Sequence, residues 1–371
     1  MEKEKYIKGL YGIRGISCFI LAFFHHYIGD VKINNAIIDS LFFTLRNWSS
    51  TYAFIAISGF LFAWLYCDRK MEFEYFIKKR IIRIYPLFII TTLVTAIMEY
   101  AFYIATGYTY GGVNCDLFHL FLNFFLIQNY LVTDIGNSFN GAANTICQLM
   151  ICYVLFWMTT NFTKNKFQRI VSWFGLCIVG IWCYNMKPST SIPLLSWVMG
   201  AVYFCFFGSC ILCEIYRKFN TLNQRTLLSI ISILMILLYI SIYYIGGREL
   251  IGDSSKYGIT YIFFIVFPII MLVTCGRVVP KILSLSLLEK LGKMSFSIYL
   301  WNFPIFFGIF IILNLFNLKN TVESIWVWII SVGIELIISF ISYCIIEKKL
   351  TKFLMNKVKC EREDSIRYNT D

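Results

Sequence analysis

The chain has 371 residues, of which 58% are hydrophobic, 19% aromatic and only 15% charged, with a formal net charge of +12. A soluble protein of that length would form two or three domains with about a quarter of its residues charged. The composition therefore excludes that class, together with disordered, collagenous and disulfide-rich secreted chains. The apolar runs are continuous rather than alternating at period two, which sets aside a β-barrel and predicts an all-α polytopic transmembrane bundle.

Ten spans are predicted, at Leu10 to Ile28, Trp48 to Tyr66, Ile84 to Thr106, Ala142 to Thr160, Ile170 to Asn185, Pro193 to Cys213, Thr226 to Ile245, Gly258 to Cys275, Ser295 to Phe316 and Ile325 to Ile346. The opening MEKEKYIKG resembles the start of a signal peptide, but the apolar stretch after it holds Arg14 and lacks a small-residue cleavage site, so it counts as the first span. With the N-terminus inside, the inner segments hold 26 of the 33 Lys and Arg and the outer loops 6. Both termini are thus expected in the cytoplasm of a multi-pass cell-membrane protein, and the positive charge reports topology rather than nucleic-acid binding. An eleventh apolar stretch, Leu117 to Leu131, is too short and too polar to cross, with His119, Asn123, Gln128 and Asn129, and is expected to be interfacial or re-entrant.

The richest chemistry lies in the first span, GLYGIRGISCFILAFFHHYIGD. On a helix, the eleven residues from Arg14 to His25 return to within about 20° of the same face, about 16 Å along the axis, while His26 is turned about 100° away. Arg14 alone would snorkel to headgroups and the histidines alone would be interface residues. Together they suggest a cation awaiting an anionic partner and a base suited to proton transfer near neutral pH. In the second span, Ser58 and Gly59 allow close approach of a helix or a ligand chain, packing being the commoner use.

Before the third span, KKRIIRIYP places Lys78, Lys79, Arg80 and Arg83 ahead of Pro86. If helical, Arg80 and Arg83 share a face and could clamp a phosphorylated ligand, although positive-inside topology explains many such runs. Glu99 and Glu335 are ionisable groups within spans, able to orient a histidine or bind a polar acceptor. The outer segment from Gly107 to Gly141 carries no Lys or Arg, and a loop of that length is more often functional than idle. Nearly all of the thirteen cysteines fall in spans or inner segments and suit packing, with no disulfide framework and no zinc spacing. No internal repeat, phosphate-binding loop or G-x-G-x-x-G is present, which argues against ATP-driven and nicotinamide chemistry.

Four places along the chain resemble acyltransferase family 3, bacterial integral-membrane enzymes that O-acylate cell-surface carbohydrates. Arg14 and His25 match its R-x10-H; Ser58, Gly59 and Phe60 look like its S-G-F; Arg80, Arg83 and Pro86 look like its R-x-x-R before Pro; and SFSIYLWNFPI is similar to its S-Y-x-x-Y-L-x-H-x-P. The closing YCIIEKK also resembles Y-x-x-I-E-K-P. This sequence departs at Asn302, where the family has His, at Asn144 and Leu149, where many members have Trp and Glu, and at Lys349 in place of Pro.

The resemblance implies a transmembrane acyltransferase domain over residues 1–350 with a basic cytoplasmic tail at 351–371. It implies transfer of an acyl group, most often acetyl, from cytoplasmic acetyl-CoA to a hydroxyl of a surface or lipid-linked glycan, with no metal. Arg80, Arg83 and Lys79 would hold the CoA phosphates, with Arg14 deeper. His25 would be the general base, and His26, Ser58, Glu99 and Asn302 would contact the acceptor. Three other readings stay open: a transporter or flippase for a lipid-linked sugar, a pH-responsive membrane sensor, and a polysaccharide polymerase. The sequence is silent on the acyl group, the glycan and its hydroxyl, direct transfer against an acyl-enzyme on Ser58, and oligomeric state.

Overall fold

The computed structural model describes residues 7–24, 50–110, 114–128, 138–186, 194–219, 221–245, 258–318 and 324–358. They form an all-α bundle, with no strand among them. The helices are α1 (Lys8–Phe24), α2 (Ser50–Tyr66), α3 (Phe73–Thr106), α4 (Leu117–Phe124), α5 (Ala142–Phe162), α6 (Lys166–Asn185) and α7 (Trp197–Lys218). They continue with α8 (Leu222–Ile245), α9 (Ile259–Cys275), α10 (Val279–Leu283), α11 (Ser286–Lys293), α12 (Ser295–Leu315) and α13 (Ile325–Val358). Seven of these, α3, α5, α6, α7, α8, α12 and α13, are long and apolar enough to cross a membrane. The shorter apolar helices α1, α2 and α9 coincide with the other three predicted spans.

The boundaries follow from local chemistry. Asn165 and Ser196 cap α6 and α7 by accepting the backbone N–H of Gln168 and Met199. Helix α3 ends at Gly107, whose φ of 80° closes the last turn back onto the Tyr103 carbonyl. At its other end α3 starts well before the predicted span, at Phe73, so Lys78, Lys79, Arg80 and Arg83 belong to the same uninterrupted helix. Pro86 sits inside it without ending it; in a packed membrane helix, neighbouring groups compensate for the lost backbone donor.

Close backbone contact at glycines fixes where α1 lies. A Cβ at Gly12 would stand 1.9 Å from the Leu283 carbonyl, and one at Gly292 would stand 1.9 Å from the Tyr11 carbonyl. The surfaces of α10, α11 and α1 therefore meet without side chains between them, which sets the depth of Tyr11 and Arg14. Gly59 does the same for α2 against α7, where a Cβ would meet the Phe206 carbonyl at 2.2 Å.

The polar stretch at Leu117 is not a crossing. Helix α4 has only eight residues, and the chain turns back at Leu126, φ 56°, where the Ile127 N–H bonds the Leu122 carbonyl. The Phe124 carbonyl accepts from the Tyr85 hydroxyl of α3, and the Asn140 amide donates to the Leu300 carbonyl of α12 at 3.0 Å. The segment is thus tied to two long helices at these points; residues 129–131 of the predicted stretch lie outside the described residues.

Candidate functional site

Five helices enclose a cavity of about 170 Å³ within the bundle. Its walls are Tyr11 and Arg14 from α1, Arg80, Arg83 and Ile84 from α3, Thr145, Ile146, Leu149 and Tyr153 from α5, and Ser295, Phe296 and Tyr299 from α12. Helix α2 supplies Phe54, Ser58, Leu61, Phe62, Leu65 and Tyr66, one stripe at helical spacing. Three of the cations singled out in the sequence, together with Ser58, thus meet on one space.

The arginines are held differently. Arg80 is buried, its Nη2 donating to the Tyr66 hydroxyl at 2.7 Å and its guanidinium carbon 4.7 Å from the Phe62 ring, 5.2 Å from Tyr66 and 5.6 Å from Phe76. Stacking in such a box is possible because the guanidinium is planar and weakly hydrated. Arg14 and Arg83 donate no hydrogen bond to a described side chain, and they repel one another electrostatically. Glu347 of α13 accepts from the hydroxyl of Ser297, the residue after the cavity-lining Phe296, and is not itself part of the wall.

Phenols and hydroxyls line the rest. Tyr153 and Ser58 face the same space, and the Tyr299 hydroxyl donates to Thr145 Oγ1 at 2.9 Å. Leu149 shows an apolar wall where the resemblance would have placed a carboxylate. Such a cavity suits a ligand with an anionic end near the arginines and a neutral arm beyond them.

Other predicted residues lie elsewhere. Lys79 stacks on Tyr75 at 4.1 Å and does not line the cavity. Glu99 is buried and accepts the Tyr110 backbone N–H at 3.0 Å, tying down the start of the segment after α3. Asn302 donates to both carboxylate oxygens of the fully buried Glu335, at 3.2 and 3.3 Å. His25 and His26 lie outside the described residues; helix α1 is continuous from Arg14 to Phe24, the residue before His25. Of this helix's face beyond Arg14, Cys18 and Ala22 are buried against Met294 and Ile298, and the Cys18 thiol donates to the Ser295 carbonyl at 3.1 Å.

Sequence reasoning did not assign Tyr66, Tyr153 or Tyr299 to the site. The α2 stripe at Ser58, Phe62 and Tyr66 was the available signal for the first. The other two sit in stretches whose resemblance to family motifs is visible but whose roles need the tertiary contacts.

A family model described as an acyltransferase domain matches residues 7–344. No curated protein and no solved structure matches the chain. The arginine-lined cavity sits wholly within the matched part, and the chain belongs to acyltransferase family 3, as a multi-pass membrane acyltransferase.

Proposed function

We propose that this protein transfers an acyl group, most often acetyl in the family it belongs to, from acyl-CoA to a hydroxyl of a surface or lipid-linked glycan. The observation that carries this reading is the convergence of Arg14, Arg80 and Arg83, from two helices, on a cavity that also holds Ser58. Paired guanidinium forks are suited to a phosphorylated carrier, and binding at phosphates far from the thioester positions the reacting carbonyl. The distribution of Lys and Arg puts the arginine end of the bundle and both termini in the cytoplasm of a cell-membrane protein, where acyl-CoA is made.

In this reaction His25 takes the proton from the acceptor hydroxyl as its oxygen attacks the thioester carbonyl. The carbon–sulfur bond breaks as the ester forms, and the proton passes from His25 to the departing thiolate. Arg83 and Arg14 hold the donor, with Arg80 as the braced wall between them and the aromatic cluster. Glycan and lipid reach the reaction from the end of the bundle away from the arginines. No metal takes part in this scheme.

The test is transfer of isotopically labelled acetyl from acetyl-CoA to glycan in membranes holding wild type, His25→Ala or Arg83→Ala at matched protein levels. Wild type should label an alkali-labile ester, and His25→Ala should lower transfer by at least about a hundredfold. If wild type transfers nothing and binds no CoA, the acyltransferase assignment of this cavity fails and movement of a lipid-linked sugar is the reading to pursue.

A further inference from the structure

Between the end of α9 and the start of α12 the chain makes an elbow of two short helices, α10 (Val279–Leu283) and α11 (Ser286–Lys293). With five and eight residues they are far too short to cross a bilayer. The elbow nevertheless leaves large apolar side chains uncovered: Val278, Ile282, Leu285 and Leu287 are 64, 54, 58 and 68% exposed. On a span such residues face lipid tails, whereas four of them together on a short surface element mark a face that something else covers.

The charges around this face, and its tether, say what. Arg277, Lys281 and Lys290 are exposed, and neither lysine is in an ion pair among the described residues. The one acidic residue of the elbow, Glu289, is held by Lys293 at 2.6 Å. Because the elbow links α9 directly to α12, it is fixed where those two helices leave the bilayer, so the surface within its reach is the headgroup layer. Apolar residues bordered by unanswered cations suit a helix lying in an anionic leaflet, its apolar edge at the acyl boundary and its lysine stems reaching to the phosphates.

The inner side of the elbow carries α1. A Cβ at Gly15 would stand 2.5 Å from the Leu288 carbonyl oxygen and 2.9 Å from the Gly292 nitrogen, and one at Gly9 would stand 3.1 Å from Val273 at the end of α9. Together with Gly12 on Leu283, these contacts seat one side of α1 on the elbow along its first two turns. Tyr11 and Arg14, on another face of the same turns, line the arginine cavity. A displacement of the elbow therefore carries Arg14 with it.

We propose that the α10–α11 elbow is a docking surface for anionic phospholipid, and that lipid seated there holds α1 at the depth that places Arg14 in the cavity. Lys281 and Lys290 take the lipid phosphates, while Ile282, Leu285 and Leu287 enter the acyl boundary. The docking stands on the elbow alone; its consequence for the donor rests on reading the cavity as the acyl-CoA site.

The full chain carrying Leu287→p-benzoylphenylalanine is reconstituted in bilayers of phosphatidylcholine, alone or with about one third phosphatidylglycerol, irradiated, and its adducts are identified by mass spectrometry. Lipid adducts are expected, with phosphatidylglycerol exceeding its share of the bilayer at least about fivefold. Adding Lys281→Gln and Lys290→Gln should abolish that excess and leave lipid adducts in proportion to composition. An adduct to a second copy of the chain, no lipid adduct, or no excess of phosphatidylglycerol overturns the docking. No CoA is present, so this arm is independent of the donor reading.

The second arm measures the KM for acetyl-CoA of wild type and of the Lys281→Gln, Lys290→Gln double variant in both bilayers. In the mixed bilayer the variant's KM should be about fivefold above wild type, and in phosphatidylcholine alone the two should agree. A difference of the same size in both bilayers means that the lysines attract CoA directly, and this result, or no difference in either, overturns the link to α1. If neither protein binds CoA in either bilayer, the acyl-CoA reading falls and the link with it, while the adducts still decide the docking.

Discussion

Arginines gather at two places in this protein, and they are spent in opposite ways. At one end of α2, Arg169 of α6 and Arg217 of α7 are consumed by the fold. Arg169 donates to the Cys67 carbonyl at 2.7 Å, and Arg217 to the Ala63 and Trp64 carbonyls at 3.2 and 2.8 Å. These carbonyls lie at the C-terminal end of α2, where a helix runs short of backbone donors, so the two cations cap α2 and offset its dipole. The cluster is closed by Glu214, 3.5 Å from Arg169, 3.3 Å from Arg217 and 2.6 Å from Lys166, with Asp68 3.2 Å from Arg217. In the cavity on the other side of α2, Arg14 and Arg83 make no such bonds to the described residues. Arginine burial alone says little about function; what separates the clusters is how many of the donors the protein itself has already taken.

The largest effect expected from breaking this contrast is at the closed cluster. Glu214 is 4% exposed, and replacing it with Ala leaves Arg169 and Arg217 with only Asp68 to face. Glu214→Ala should cost about 3 kcal/mol of stability, seen as a lower thermal midpoint in detergent, while the KM for acetyl-CoA in the surviving folded protein stays unchanged. A KM that rose with unchanged stability would erase the distinction between the two clusters.

The cavity should respond in the opposite sense. Arg83→Ala removes a cation the fold does not use, so its thermal midpoint should hold or rise. Its kcat/KM for acetyl-CoA should fall about thirtyfold, mostly through KM, as expected for one charge-assisted contact of about 2 kcal/mol. Arg83→Lys should recover only part of this, because the fork geometry is lost. Steady-state kinetics beside thermal unfolding on the same preparations decide the matter; a loss of stability without a change in KM would make Arg83 a second Arg217.

Much of this was legible from the chain alone. Ten apolar runs gave the helices, because the bilayer forces backbone groups to pair within each span. The stretch at Leu117 reads as too short and polar to cross, and its helix has only eight residues. Arg14, Ser58, Arg80 and Arg83 were readable as site candidates because charged or small residues inside or beside apolar runs need a reason. What local pattern could not supply was the partner of each. Arg169 and Arg217 read as inner-loop charges like any other, and nothing near them in sequence announces the carbonyls of α2. Glu347 and Ser297 come from separate helices, and the π segment that carries Glu347 leaves no mark in the hydrophobic periodicity. Glu99 and Asn302 have the residue types of an acceptor site, and their partners in the structure, the Tyr110 backbone N–H and Glu335, are equally invisible to local pattern.

Arg80 falls between the two clusters and provides the finest test. Spacing pairs it with Arg83, since the two are three residues apart on α3, and the helix does turn both to the cavity. Its donors, however, are partly committed: the Tyr66 hydroxyl accepts one at 2.7 Å, and three rings from α2 and α3 surround the guanidinium. If Arg80 serves mainly as a braced wall, Tyr66→Phe leaves the ring box intact, removes one hydrogen bond and costs about 1 kcal/mol of stability with KM moved less than about twofold. If Arg80 is instead a donor ligand that Tyr66 aims, the same change should raise KM for acetyl-CoA about fivefold with little loss of stability, because a loosened guanidinium loses orientation before it loses its place. The structure favours the first outcome: a cation already hydrogen-bonded and surrounded by three rings has less to offer a phosphate than Arg83, which is exposed and donates no hydrogen bond to a described side chain.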